Sequence, residues 1–185
     1  MTMDKYEGLK LENQLCFPLY ACAKEVVRSY QPLLDELELT YTQYIAMMVL
    51  WQCEKINVKH LGEMLLLDSG TLTPLLKKLE AKGYVSRSRS EEDERVLNVA
   101  LTDKGRALKD RAASIPPRIA CCLGLSEDEA KTMYALLYKA IGNMRAGQKR
   151  NTYRPKNSLR RSPYTFFSIR KRRPYRPSFS YNKKN

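Results

Sequence analysis

Leu72, Leu75, Leu76 and Leu79 recur at i, i+3, i+4 and i+7, while Thr73, Lys77 and Lys78 fall off that stripe. The spacing predicts an amphipathic helix whose polar side is left free for another task. Asp68-Ser69-Gly70-Thr71 supplies a turn and several N-capping side chains before it, and Gly83 is placed to end it. Pro74 suits a helix only in its first turn, so a start near Thr71 is expected. Just upstream, Val58 to Leu67 reads as a short helix. Downstream, Tyr84 to Arg89 and Val96 to Leu101 read as short strands joined by the charged loop Ser90 to Glu94, with Leu97, Val99 and Leu101 alternating. Two helices followed by a two-stranded ribbon predict a winged helix-turn-helix, a mostly α fold with a small β-wing.

The flanks are helical in pattern too. Leu11, Leu15, Leu19, Ala23, Val26 and Tyr30 recur every three or four residues, predicting a long helix that ends near Pro32, with Pro18 expected to kink it. A second helix, rich in large apolar residues, is expected from Thr40 to about Cys53. Thr102 can cap a helix through Ala107 and Leu108, broken by Pro116-Pro117, and Ser126 opens a last one through Met133, Leu136, Leu137 and Ile141. Helices flanking a winged module at both ends need a partner to bury their apolar faces, so a homodimer through the N- and C-terminal helices is expected.

Charge changes this picture only at one end. The 185-residue chain has a formal charge of +13, from 33 Lys/Arg against 20 Asp/Glu. Fourteen of those bases and none of the acids lie in residues 145–185, which leaves 19 basic and 20 acidic residues before them. The body is near neutral, and any affinity of residues 1–144 for nucleic acid must come from local patches. The sequence thus divides into a winged helix-turn-helix domain with flanking dimerisation helices, residues 1–144, and a basic tail, residues 145–185. The tail is dominated by Arg, Lys, Tyr, Pro, Ser and Asn without amphipathic period, and is expected to be disordered in isolation. Neither a basic-then-apolar leader nor an apolar run of about 18 residues occurs, so a soluble cytoplasmic protein without membrane contact is expected.

Cys16, Cys22, Cys53, Cys121 and Cys122 make neither a C-x-x-C pair nor an even disulfide framework, which argues against structural zinc or a secreted scaffold. No cofactor is implied. Cys16 and Cys22, six apart on one helix, lie roughly 9 Å apart along the axis, beyond disulfide reach. Cys22 and Cys53 are expected in the core.

Four strings carry a family resemblance: Leu11-Glu12-Asn13-Gln14-Leu15-Cys16-Phe17, Leu39-Thr40-Tyr41-Thr42-Gln43-Tyr44, Leu67-Asp68-Ser69-Gly70-Thr71-Leu72-Thr73-Pro74-Leu75-Leu76, and Arg89-Ser90-Glu91-Glu92-Asp93-Glu94-Arg95. From about Gly8 to Met144 the chain resembles the organic hydroperoxide resistance regulators, a branch of the MarR family. That resemblance implies a MarR-like dimeric repressor that releases its operator when an organic hydroperoxide oxidises Cys16. It implies two tyrosines near the thiol, Tyr30 and Tyr41. It also implies the two-cysteine type, with Cys121 as the resolving thiol of an inter-subunit disulfide and Cys122 beside it as the fallback. The basic tail has no counterpart in the family pattern.

The chemistry suits those residue types. A peroxide reacts with a thiolate, which tyrosine hydroxyls can support by hydrogen bonding, and apolar neighbours such as Leu15 and Phe17 favour an organic hydroperoxide over hydrogen peroxide. For DNA, the helix from about Thr71 to Lys82 would enter the major groove with Ser69, Thr71, Thr73, Lys77 and Lys78 facing bases or phosphates. Arg87, Arg89 and Arg95 would reach backbone or minor groove from the wing, with Asp93 holding Arg95 in position. Two competing functions are a regulator of the same fold that binds a small aromatic ligand, its cysteines incidental, and a thiol peroxidase. The second lacks an acid/base constellation, because His60, the chain's one histidine, falls in the helix-turn-helix. An enzyme is therefore not expected.

Overall fold

The computed structural model describes residues 6–152, with side chains as far as residue 147. The chain forms two compact units, Met1–Ala130 and Lys131–Asn185. Two single 3-10 turns, Glu7–Leu9 and Leu11–Asn13, lead into helix α1, Cys16–Asp35. Leu11 and Leu15 therefore precede the helix that their spacing suggested they would join. Pro18 lies in the first turn of α1, where its missing N–H has no intrahelical acceptor to lose, so the expected kink has no cause. Nor does the helix stop near Pro32. It runs on to Asp35 because Leu33 and Leu34 bury themselves beyond the proline.

Helix α2, Tyr41–Cys53, opens with a capping box: the Thr40 hydroxyl accepts the Gln43 N–H, and the Gln43 side chain accepts the Thr40 N–H at 3.1 Å. Apolar residues surround it, and Ala46, Met47 and Leu50 are completely buried. It is the axis of the core, touching α1, three later helices and the sheet.

A strand the sequence did not suggest follows at once: β1, Lys55–Asn57. With β2, Val85–Arg89, and β3, Leu97–Leu101, it makes a three-stranded antiparallel sheet in the order β1-β3-β2, with Ile56 and Arg87 on either side of Val99. The expected two-stranded ribbon is corrected to three strands. Three residues without alternation carry no strand signal; β1 exists because β3 supplies its ladder.

Helix α3, Val58–Leu65, is capped by the Asn57 side chain, and α4, Ser69–Ala81, by Asp68. The start of α4 at Ser69 rather than near Thr71 leaves Pro74 inside the helix, where the Gly70 carbonyl loses its partner. The buried Leu72, Leu75, Leu76 and Leu79 hold the helix across that gap. Helices α3 and α4 meet tightly: a Cβ on Gly62 would lie 2.9 Å from the Leu67 carbonyl oxygen. Gly83, at φ +75°, turns the chain out of α4.

Thr102 caps α5, Asp103–Ala112. Pro116 and Pro117, expected only to break a helix, instead sit in the first turn of a separate helix α6, Ile115–Cys122, anchored by Ile115 and Ile119. Ser126 and Glu129 form a second capping box at α7, Glu127–Thr152. Helix α7 passes the expected domain boundary at Met144, and residues 153–185, most of the expected tail, lie outside the described residues. Within the second unit, Met133, Leu137 and Ile141 share one half-buried stripe of α7, while Tyr134, Leu136, Tyr138 and Met144 are exposed. No helix among the described residues is long and apolar enough to cross a membrane.

Candidate functional site

Burial of the leucine stripe decides what α4 offers to a ligand. Ser69, Thr71, Thr73, Lys77 and Lys78 are all exposed. At 100° per residue, Lys77 stands opposite the stripe, Thr73 and Lys78 lie to either side of it, and Ser69 and Thr71 sit nearer the stripe. Gly70 and Pro74 share the outward face, although a glycine and a proline in the sequence mark a turn and a helix start rather than a contact surface. The Asp68 carboxylate accepts the Thr71 N–H at 2.9 Å and its hydroxyl at 3.0 Å. These two bonds hold the Asp68 carboxyl below its ordinary range. Thr71 is thus committed as a donor to the cap and presents only its oxygen lone pairs outward.

The wing residues divide. Arg87 is not free: its Nε donates to Glu80 of α4 at 2.8 Å, and its backbone N–H donates to the same carboxylate at 3.0 Å. The Arg87 side-chain bond, aided by the backbone bond, draws the Glu80 carboxyl below its ordinary range. Arg87 thus clamps α4 against β2. Arg89 and Arg95 are exposed, with Arg89 donating to the Glu94 carbonyl across the hairpin tip at 2.5 Å. Asp93 holds Arg95 in position through the backbone, accepting the Arg95 N–H at 2.9 Å in the turn.

Two of the five thiols depart from expectation. Cys16 is the first residue of α1, exposed and free, within 3.9 Å of the Gln14 side-chain oxygen. Its chain neighbours Leu11, Leu15, Phe17, Leu19 and Tyr20 are exposed as well. Cys121 and Cys122 close α6, both exposed. Cys53 is exposed and Cys22 half-buried, so neither is the core cysteine expected.

Tyr30 and Tyr41 pack together, ring centroids 5.0 Å apart, with Tyr44 at 5.8 Å from Tyr30. Yet Tyr30 lies four turns along α1 from Cys16, about 21 Å at 1.5 Å per residue. Within one protomer the expected tyrosines do not reach the thiol. Burial, then the neighbouring Tyr41, raises the Tyr30 hydroxyl, and burial alone raises that of Tyr41. Both therefore stay protonated donors through and beyond neutral pH.

A helix-turn-helix whose second helix presents threonines and lysines, beside an arginine-bearing hairpin, defines a winged-helix DNA-binding transcriptional regulator. A family profile described as transcriptional regulator SarA/Rot matches residues 28–112. The chain is 49% identical to the organic hydroperoxide resistance transcriptional regulator of Bacillus subtilis over 141 residues, 75% of this chain and 94% of that one. It is 49% identical to the regulator SarZ of Staphylococcus aureus, covering 67% of this chain and 84% of that one. Among solved structures, reduced AbfR bound to DNA aligns with a TM-score of 0.64 at 33% identity, covering 76% of this chain and 99% of AbfR. AbfR with its disulfide formed aligns at 0.53 with the same identity, covering 76% of this chain and 95% of AbfR. The chain belongs to the organic hydroperoxide resistance regulators of the MarR family.

Proposed function

We propose that this chain is a homodimeric cytoplasmic repressor that holds its operator while Cys16 is reduced and releases it when an organic hydroperoxide oxidises that thiol. The observation that carries the reading is the placement of Cys16: exposed, at the first turn of a helix, flanked along the chain by exposed apolar residues. An organic hydroperoxide partitions to such a surface, while hydrogen peroxide gains nothing there. The thiolate attacks one peroxide oxygen, the O–O bond breaks, the alkoxide leaves and takes a proton as alcohol, and sulfur becomes a sulfenic acid. Condensation with the Cys121 thiol, or Cys122 in its place, then yields a disulfide and water.

The distance between Cys16 and the tyrosine cluster makes the dimer part of the chemistry. A second copy, packed through the apolar faces of the N-terminal segment and α7, would bring a Tyr30–Tyr41 pair to each thiol and cover its apolar chain neighbours. Two raised, protonated hydroxyls then donate to the thiolate.

On the DNA side, α4 enters the major groove with Ser69, Thr73, Lys77 and Lys78 outermost and Thr71 accepting, while Arg89 and Arg95 reach phosphate or minor groove from the wing. The two recognition helices of a dimer must match half-sites about one DNA turn apart. A disulfide tying α1 of one protomer to α6 of its partner would change that separation, since the winged modules move as rigid bodies. AbfR has been solved both reduced on DNA and with a disulfide formed, which favours the same pair of states here.

The test is operator binding by wild type, Cys16→Ser and Cys121→Ser, with and without cumene hydroperoxide, with non-reducing gels of the same samples. Wild type should release DNA and give a dimer-sized covalent band, and Cys16→Ser should do neither. A Cys16→Ser protein that still lets go of DNA would overturn the reading.

A further inference from the structure

Cys121 and Cys122 are adjacent, exposed and free, and they are the last two residues of α6. The peroxide chemistry above uses one of them. We propose that the pair is a dithiol site for a monosubstituted trivalent arsenical, R–As=O, which both sulfurs bind together.

Adjacency first excludes the simplest alternative. Cα atoms across a trans peptide lie about 3.8 Å apart, below the roughly 4.4 Å at which disulfides begin to be comfortable. A Cys121–Cys122 disulfide would be strained and readily reduced, so the two sulfurs persist as thiols where more widely spaced pairs would oxidise. A bridging atom relieves this strain, because two sulfurs bound to one large soft centre need not touch each other.

The number of ligands then selects the centre. No group of three or more His, Cys, Asp or Glu side chains able to hold a metal ion occurs among the described residues. Zinc, which wants four protein ligands in a structural site, is unsuited. A monosubstituted arsenical brings its own carbon as third substituent and asks the protein for two thiolates only. The reaction balances without an oxidant: both S–H protons leave with the oxide oxygen as water, two As–S bonds form, and arsenic stays trivalent.

The position allows the two sulfurs to converge. Successive side chains diverge by 100° around a helix, so the last turn must loosen, and the final carbonyls of α6 have no intrahelical partner to lose. Among the described residues, the Cys122 thiol donates to the Arg118 carbonyl alone, at 3.4 Å. Two residues on, Gly124 adopts φ +61° with open space around it, a ready swivel. Leu123 and Leu125, both exposed, offer apolar surface to an organic R group.

The probe is phenylarsine oxide added to the reduced full-length protein, read by intact mass and by thiol titration. One adduct per chain and the loss of two titratable thiols are expected, reversed by a dithiol such as dimercaptopropanol but not by excess glutathione. The triple variant Cys16→Ser/Cys22→Ser/Cys53→Ser should keep the adduct, and Cys121→Ser or Cys122→Ser should each abolish it, with Cys121→Ala and Cys122→Ala and circular dichroism guarding against misfolding. An adduct that survives loss of Cys121 or Cys122, or one displaced by glutathione, would overturn the proposal. A second arm rests on the peroxide reading: arsenical-loaded wild type should give no covalent dimer with cumene hydroperoxide. If the adduct forms as stated but unloaded wild type also gives no covalent dimer, the resolving role fails and the arsenical site stands.

Discussion

Gly105 illustrates how little slack the core leaves at single positions. A Cβ built there would lie 2.0 Å from the Tyr84 carbonyl oxygen, a backbone atom that cannot swing aside. The Gly105 carbonyl also accepts the buried Trp51 indole N–H at 2.8 Å, and its N–H donates to the Thr102 hydroxyl at 3.0 Å. Gly105→Ala must push α5 away from the turn before β2 and strain both bonds at once. Overpacking of this kind typically costs about 1–3 kcal/mol, so a denaturant midpoint well below wild type with an unchanged m-value is expected. An unchanged midpoint would mean that the turn at Tyr84 yields freely. Thr102→Ala tests the neighbouring contact. That hydroxyl donates to the Gly83 carbonyl at 2.6 Å while capping α5, so its loss should destabilise by about 1–2 kcal/mol, at the upper end for an N-cap.

The clamp between α4 and β2 makes a different kind of forecast. Glu80 and Asp68 both sit below their ordinary carboxylate range, through Arg87 and through Thr71 respectively. A carboxyl whose folded pKa is depressed lends stability that is present above its unfolded value, about 4, and is lost as pH falls through the folded one. The wild-type protein should therefore lose stability on acidification below about pH 4, with Asp68→Asn and Glu80→Gln each giving a shallower acid limb by chemical denaturation. Arg87→Ala should weaken operator binding by loosening α4 against the sheet while leaving its salt dependence unchanged. Arg95→Ala, if it removes one phosphate contact, should lower the salt slope by about 1. A slope lowered by about 1 in Arg87→Ala as well would put Arg87 on the DNA. Much of this region was legible in the sequence: the leucine stripe, Gly83, Thr102 and the strand alternation each depend on neighbours a few residues away. The Arg87–Glu80 clamp, strand β1 and the helical continuity across Pro74 were not, because each is held by tertiary contacts. The separation of Cys16 from Tyr30 was legible as well, since fourteen residues of the predicted helix span about 21 Å; which copy of the chain supplies the tyrosines was not. A motif shared by a family does not say which copy of the chain supplies each residue.

Assembly and charge set the remaining behaviour. The second unit, one helix in its described part, exposes Tyr134, Leu136, Tyr138 and Met144. If this face makes the dimer, Leu136→Asp should shift the protein to monomer in sedimentation and lose operator binding together with the peroxide-driven covalent band. Loss of the band with the dimer intact would separate the two roles. Residues 153–185 add eleven Lys/Arg and no Asp/Glu to a chain that is otherwise close to neutral. Their contribution to DNA affinity, if any, comes from counterion release, which is independent of base sequence and grows with each phosphate neutralised. Truncation after Thr152 should therefore flatten the plot of log affinity against log salt and weaken binding to random DNA more than binding to the operator. The ratio of specific to nonspecific affinity should rise, because α4 and the wing that read the sequence are untouched. A truncated protein with the same salt slope would assign the tail to another partner, and one that also lost operator preference would place part of the readout beyond the winged helix.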